Sequence, residues 1–187
     1  MRYYDIEVAG TKRALKLCPI NQDLCIAAFL ILGDTELTVN CAAALLERAP
    51  KYDFLLTAEA KSIPLVQEMA RQNGEAHYIV ARKGRKLYMD NPICVGVKSI
   101  TTEKDQKLYV DKEEMDQMRG KRILIVDDVI STGRSLQALE EIAAAAGADV
   151  VGKMAVLAEG DAASRTDISY LEKLPLFNAK GEPLPFD

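Results

Sequence analysis

Ile123-Leu-Ile-Val-Asp-Asp-Val-Ile-Ser-Thr-Gly-Arg-Ser135 decides how this chain reads. The unbroken apolar run of residues 123–126 predicts a central strand over 121–126, buried on both faces. Leu136, Leu139, Glu140, Ile142 and Ala143 then follow a helical period that ends near Gly147. Asp127 and Asp128 therefore fall at the carboxyl end of a strand, where open α/β sheets bind ligands. Two adjacent carboxylates suit a vicinal diol. The hydroxyls of Ser131, Thr132 and Ser135, the compact Gly133, exposed N–H groups and a helix start suit a phosphate monoester. The plainer reading is that the acids only cap a helix. Neither the P-loop spacing nor Gly-x-Gly-x-x-Gly is present, so ATPase and dinucleotide chemistries lose their usual support.

The same alternation of strand and helix extends outward. Residues 3–8 and 13–18 read as short strands around Gly10, with Pro19 interrupting. Residues 24–32 read as a strand rather than a buried helix, because Gly33-Asp34 ends them. Leu37, Cys41, Ala44, Leu45 and Arg48 share a helical face that Pro50 stops. Residues 52–57 are a strand, 64–73 a helix closed by Gly74, and 76–81 the next strand. Residues 93–101 and 106–111 alternate as ribbon strands around the polar loop Thr101 to Gln106. Residues 150–157 add another strand, and the proline-bearing end reads as an irregular tail on the core. Repeated strand-then-helix order predicts an α/β fold, a mainly parallel central sheet flanked by helices with right-handed crossovers.

Composition bounds the function. The 187 residues allow one sizeable core with a small appended lobe. With 24 basic and 28 acidic side chains, the net charge of -4 argues against a nucleic-acid partner and leaves soluble anionic metabolites as the better match. Cys18, Cys25, Cys41 and Cys94 are widely spaced in apolar surroundings and read as buried free thiols of a reducing compartment. The N-terminus lacks a signal-peptide apolar core and the run from Leu24 to Leu32 is too short to span a bilayer, so the cytoplasm is expected, with no membrane partner.

Residues 123–135 resemble the phosphoribosyl-pyrophosphate signature of the type I phosphoribosyltransferases. Two further segments carry the resemblance, most like the adenine members. Thr57-Ala-Glu-Ala-Lys61 is similar to a Glu-Ala-Arg-Gly turn, with Lys61 in place of arginine and Ser62 in place of glycine. Ala81-Arg-Lys-Gly-Arg-Lys-Leu87 is similar to an Arg-Lys-Pro-Gly-Lys-Leu segment, with Gly84-Arg85 at the Pro-Gly step. By itself this basic cluster reads as a solvated loop. The resemblance implies a small N-terminal hood over residues 1–34, an α/β core over 35–165, a tail over 166–187 and a flexible hairpin loop.

It also implies a purine phosphoribosyltransferase acting as a homodimer on phosphoribosyl pyrophosphate and a purine base, adenine favoured, with Mg²⁺ as cofactor. Xanthine, hypoxanthine or guanine as acceptor, or a non-catalytic donor-binding regulator, are the alternatives. On this reading Asp127 and Asp128 face the ribose 2- and 3-hydroxyls, and Asp127 touches the metal. Ser131, Thr132, Gly133, Arg134 and Ser135 wrap the 5-phosphate. Ala60, Lys61, Arg82, Lys83 and Lys86 meet the pyrophosphate, and a cis bond is in character at Ala60-Lys61. Glu103 is the loop carboxylate for catalysis, though it lacks the family's neighbouring tyrosines and equally suits a solvated loop. Phe29 would stack on the base unless it is a core residue, and Glu159 at a strand end would lie beside the base. His77 reads as structural or surface.

Overall fold

A computed structural model describes residues 2–97 and 106–186 of the chain. Strands β1 (Tyr3–Val8) and β2 (Thr11–Pro19) are joined by Ala9 and Gly10, whose φ values of 48° and 73° give the two-residue reversal that antiparallel hairpins favour. Strand β3 (Leu24–Ala28) lies antiparallel to β2. It stops four residues short of the stretch expected from the apolar run. Beyond it the chain still alternates: Phe29 and Ile31 are buried while Leu30 and Leu32 are exposed. Helix α1 (Thr35–Leu46) begins at Asp34, whose carboxylate accepts the Leu37 N–H at 3.1 Å. Arg13 reaches from β2 to the same carboxylate at 2.6 and 2.9 Å, joining hood to helix.

Strand β4 (Phe54–Ala58), helix α2 (Ile63–Asn73) and the short strand β5 (Ile79–Ala81) follow. Gly74 ends α2 at φ 73°, a left-handed residue that relieves the last carbonyls. The ribbon β6 (Ile93–Val97) and β7 (Gln106–Val110) is antiparallel as expected, with Cys94 opposite Tyr109. Cys94 is exposed, which corrects its reading as a buried thiol; on a two-stranded ribbon one face has nothing to pack against. Helix α3 (Lys112–Met118) was not anticipated. It is too short for a clear period, and its signal is the reciprocal capping of Asp111 and Glu114.

Strand β8 (Arg122–Ile130) runs past the acid pair instead of ending before it. Helix α4 (Arg134–Ala146) starts directly after the turn, and strand β9 (Asp149–Glu159) returns beside β8. The proline-bearing end from Pro175 is largely irregular, as expected, but short strand pairs fix it and a full strand precedes it. Strand β10 (Ser169–Leu174) pairs parallel with β9, and β11 (Phe177–Asn178) pairs with β3 of the hood. Edge pairing supplies the hydrogen bonds that a weak local pattern did not advertise.

Among the described residues the main sheet has the order β10-β9-β8-β4-β5, all parallel, and the hood sheet the order β1-β2-β3-β11. Period-two alternation divides the core. Leu124 and Val126 face α1, α2 and the hood, whereas Ile123 and Ile125 face α3 and α4. All four are fully buried, as a parallel strand covered on both faces requires. No helix among the described residues is long and apolar enough to cross a membrane.

Candidate functional site

Parallel strands deliver their following loops to one edge. Here β4 delivers Glu59 to Ser62, β5 delivers Arg82 to Lys86, β8 delivers the acid pair and Ser131 to Ser135, and β9 delivers Glu159. Sequence order alone separates these segments by as many as 100 residues, from Glu59 to Glu159. The sheet makes them neighbours.

Ser62 ties the first loop to the acids. Its hydroxyl is 1% exposed and lies 2.5 Å from Asp127 Oδ1 and 3.4 Å from Asp128 Oδ1. The Asp128 N–H in turn reaches Ser62 Oγ at 3.1 Å and Asp127 Oδ1 at 2.9 Å. A glycine at position 62 would supply none of the three contacts that the Ser62 hydroxyl makes. Ser62 therefore joins the acid pair, which reading the segment only against its resemblance missed; a hydroxyl after a strand-to-helix turn was the available signal. Asp128 is 3% exposed, and Lys61 Nζ pairs with its Oδ2 at 2.7 Å. Burial, and then the neighbouring Asp128 charge, push the Asp127 carboxyl well above the ordinary carboxylate value.

The basic loop is also held by an acid. Glu59 accepts the Lys83 N–H at 2.9 Å and faces Arg82 at 3.4 Å and Lys86 at 3.9 Å. The Lys83 N–H, with help from the Arg82 and Lys86 charges, holds the Glu59 carboxyl below its usual range. The loop is anchored at its base by the reciprocal backbone pair of Arg82 and Tyr109, both bonds 2.8 Å long. The cis peptide is Glu59-Ala60, one residue before the expected bond.

At the phosphate-suited turn, Gly133 adopts φ 74° and its carbonyl accepts the Gln137 N–H at 2.9 Å, opening α4. Thr132 and Ser135 are exposed there, and Ser131 and Arg134 partly so. Glu159 stands beside this turn. Burial raises its carboxyl, while the Ser131 hydroxyl bond and the Lys61 charge draw it back.

Other expected residues are distributed differently. Phe29 is 5% exposed and packs in the core with the hood strands and α1, so it offers no ring face to a ligand. His77 is exposed, its ring edge-on to Phe54. Glu103 lies outside the described residues. For a metal, the hard oxygens of Asp127 and Asp128 suit Mg²⁺, but Ser62 and Lys61 already engage both acids. Among the described residues no cluster of three or more acid, cysteine or histidine side chains could cage an ion. The donor set fits an ion whose shell is filled mostly by substrate and water.

An acid pair, an anion-suited turn and a basic loop thus meet at one strand edge of a parallel α/β sheet. The sequence pattern of the Phosphoribosyl transferase domain family matches residues 40–177, and the chain belongs to that family. It is 30% identical over 122 residues to a xanthine phosphoribosyltransferase of Bifidobacterium adolescentis, covering 64% of this chain and 62% of the relative. It is 34% identical over 113 residues to a hypoxanthine/guanine phosphoribosyltransferase of Methanococcus voltae, covering 60% and 56%. The chain thus spans about three-fifths of the length of these curated relatives. In fold it is similar to the adenine phosphoribosyltransferase structure from Thermoanaerobacter pseudethanolicus, with a TM-score of 0.70 at 18% identity over 85% of this chain and 95% of the other.

Proposed function

We propose that this protein is a purine phosphoribosyltransferase. It moves the 5-phosphoribosyl group of 5-phospho-α-D-ribose 1-diphosphate onto a ring nitrogen of a purine. The observation that carries this reading is the Ser62–Asp127–Asp128 cluster, capped by Lys61, two residues before the Ser131 to Ser135 turn. Asp127 and Asp128 accept hydrogen bonds from the ribose 2- and 3-hydroxyls. Ser131, Thr132, Gly133, Arg134 and Ser135 receive the 5-phosphate at the start of α4.

The bond from ribose C1 to the diphosphate oxygen breaks, a bond from C1 to the purine nitrogen forms, and the purine N–H proton passes to solvent or a base. Positive charge grows at C1 beside the two acids. Negative charge grows on the pyrophosphate, where Ala60 offers backbone and Lys61, Arg82, Lys83 and Lys86 offer cations. Lys61 begins on Asp128 at 2.7 Å, so it exchanges that partner for pyrophosphate as the ribose hydroxyls reach the acid. Asp127 would hold a Mg²⁺ ion together with the donor, and the ion would supply further charge neutralisation of the leaving group. The homodimer expected from the resemblance belongs to the same proposal.

Adenine is the favoured base. Glu159 presents a carboxylate suited to accept from an exocyclic amine. The cation that a 6-oxo group would call for is not offered by Lys153, which is occupied by Glu140 at 2.9 Å and Asp167 at 2.6 Å. The second reading, xanthine or hypoxanthine/guanine, is favoured by the names of the relatives at 30% and 34% identity. A panel of adenine, hypoxanthine, guanine and xanthine with the donor and Mg²⁺, following nucleotide and pyrophosphate together, separates them. AMP formation is expected. IMP, GMP or XMP formed in preference to AMP would reassign the base, and donor binding without any product would make the protein a regulator.

A further inference from the structure

Arg165 stands outside the three segments that carry the resemblance, yet its guanidinium lies over the anion turn. A Cβ built on Gly133 would come within 2.6 Å of Arg165 Nη1. The residue follows the single turn Gly160–Ser164 that β9 runs into, and that turn is pinned where the Tyr170 hydroxyl donates to the Ala163 carbonyl at 2.8 Å. The orientation is enforced from behind. Asp167 takes Arg165 Nε at 2.9 Å and Nη2 at 2.7 Å, the two-pronged geometry that fixes a guanidinium plane. Asp167 is itself held by Lys153 Nζ at 2.6 Å, and Lys153 by Glu140 of α4 at 2.9 Å. Lys153 and Arg165 have side chains 16% and 33% exposed and Glu140 and Asp167 38% and 46%, so the network sits at the rim of the site, and its hold on the guanidinium comes from the number and geometry of its bonds.

The chain from Glu140 through Lys153 and Asp167 thus ends in a guanidinium edge presented to Gly133. Glycine at 133 does two things there: it adopts φ 74°, and it leaves room for the cation to approach the backbone. A phosphate monoester on the turn carries close to two negative charges, and the helix N-terminus offers only partial charge. Beside Arg134 of the turn itself, a fixed guanidinium at the rim adds a second cationic donor.

We propose that Arg165 is a further ligand of the donor's 5-phosphate, held in place by Asp167, Lys153 and Glu140. The inference rests on the phosphoribosyl-donor reading above, and it concerns one end of that donor. Arg165 binds the phosphate on C5 and has no part in binding the pyrophosphate on C1.

The two ends can be tested separately by calorimetry with phosphoribosyl pyrophosphate, ribose 5-phosphate and pyrophosphate as three probes. Arg165→Gln is expected to weaken ribose 5-phosphate and the whole donor by about tenfold, the scale of one charge-assisted bidentate contact, while pyrophosphate affinity stays within about twofold. Arg165→Lys should recover part of the loss, because charge returns without the planar fork. Unchanged ribose 5-phosphate affinity in a folded Arg165→Gln protein overturns the inference. Equal loss for ribose 5-phosphate and pyrophosphate also overturns it, since that pattern belongs to a brace for the whole site. A wild-type protein that binds none of the three probes overturns the donor reading itself, and this inference with it.

Discussion

Asp127 shows how much one side chain can conflict with its surroundings. It is a half-buried acid beside a buried acid, and both share the hydroxyl of Ser62. Its folded-state pKa is raised, so the folded protein retains a proton that the unfolded chain loses at lower pH. The corresponding stability is complete below the ordinary carboxylate pKa and is lost as pH rises through the raised one. Asp127→Asn removes the charge and keeps an acceptor for the Asp128 N–H. It should therefore be more stable than the parent by about 1 kcal/mol at about pH 8, with the difference closing near pH 4. Urea unfolding across that range reads the gap, and a gap that widened on acidification would contradict the assignment. Donor binding should weaken in the same variant despite the gain in stability, as expected where a site keeps an acid that folding does not favour. The adjacency of the two acids was legible in the chain. Ser62 was not, because its partners lie 65 and 66 positions away.

At the scale of elements, the basic loop depends on β4 as much as on β5. Arg82, Lys83 and Lys86 converge because Glu59, at the end of a different strand, collects them. Glu59→Gln keeps an acceptor for the Lys83 N–H and removes the charge that orients the other two. Pyrophosphate affinity should fall several-fold, while stability changes by no more than about 0.5 kcal/mol, since partly exposed ion pairs add little. Calorimetry and thermal melting measure the two effects independently, and a large melting shift with intact affinity would assign Glu59 a folding role instead. Long periodic elements such as α2 and α4 were readable from spacing alone. Their ends carry Gly74 and Gly147 at φ 73° and 70°, the expected left-handed stops. The seven-residue α3 and the two-residue β11 were not readable, because neither is long enough to establish a period.

The whole molecule is closed by its C-terminal segment. After β10 joins the main sheet, Phe177 crosses to the hood, pairs with Cys25 in β3 and is fully buried. Its ring meets Tyr4 of β1 at 5.0 Å, edge to face. One residue thus couples the first strand, the last strand and the core shared with α1. Phe177→Ala should cost about 3–5 kcal/mol, the usual penalty for deleting a buried aromatic ring. It should also loosen the hood before the main sheet, so amide exchange in β1–β3 should rise more than in β8. Uniform exchange across both sheets would show that hood and core open as one unit. The strand pairs on either side of Pro175 were not legible, because prolines and a glycine dominate the local pattern, whereas the pairs are supplied by distant segments.

By itself the sequence determined the central strand, the acid pair in its carboxyl-terminal half, the helix that follows and the order of the three anion-suited segments. These are local properties, written in runs and periods of neighbouring residues. Only the tertiary structure decided which groups meet: Ser62 under both acids, Lys61 on Asp128, Glu59 among the cations and Arg165 over Gly133. It also decided that Phe29 serves the core. The physical reason is common to all of these. Hydrogen bonds and ion pairs act over a few ångströms, and parallel crossovers bring strand ends that distance apart without leaving any periodic trace in the chain.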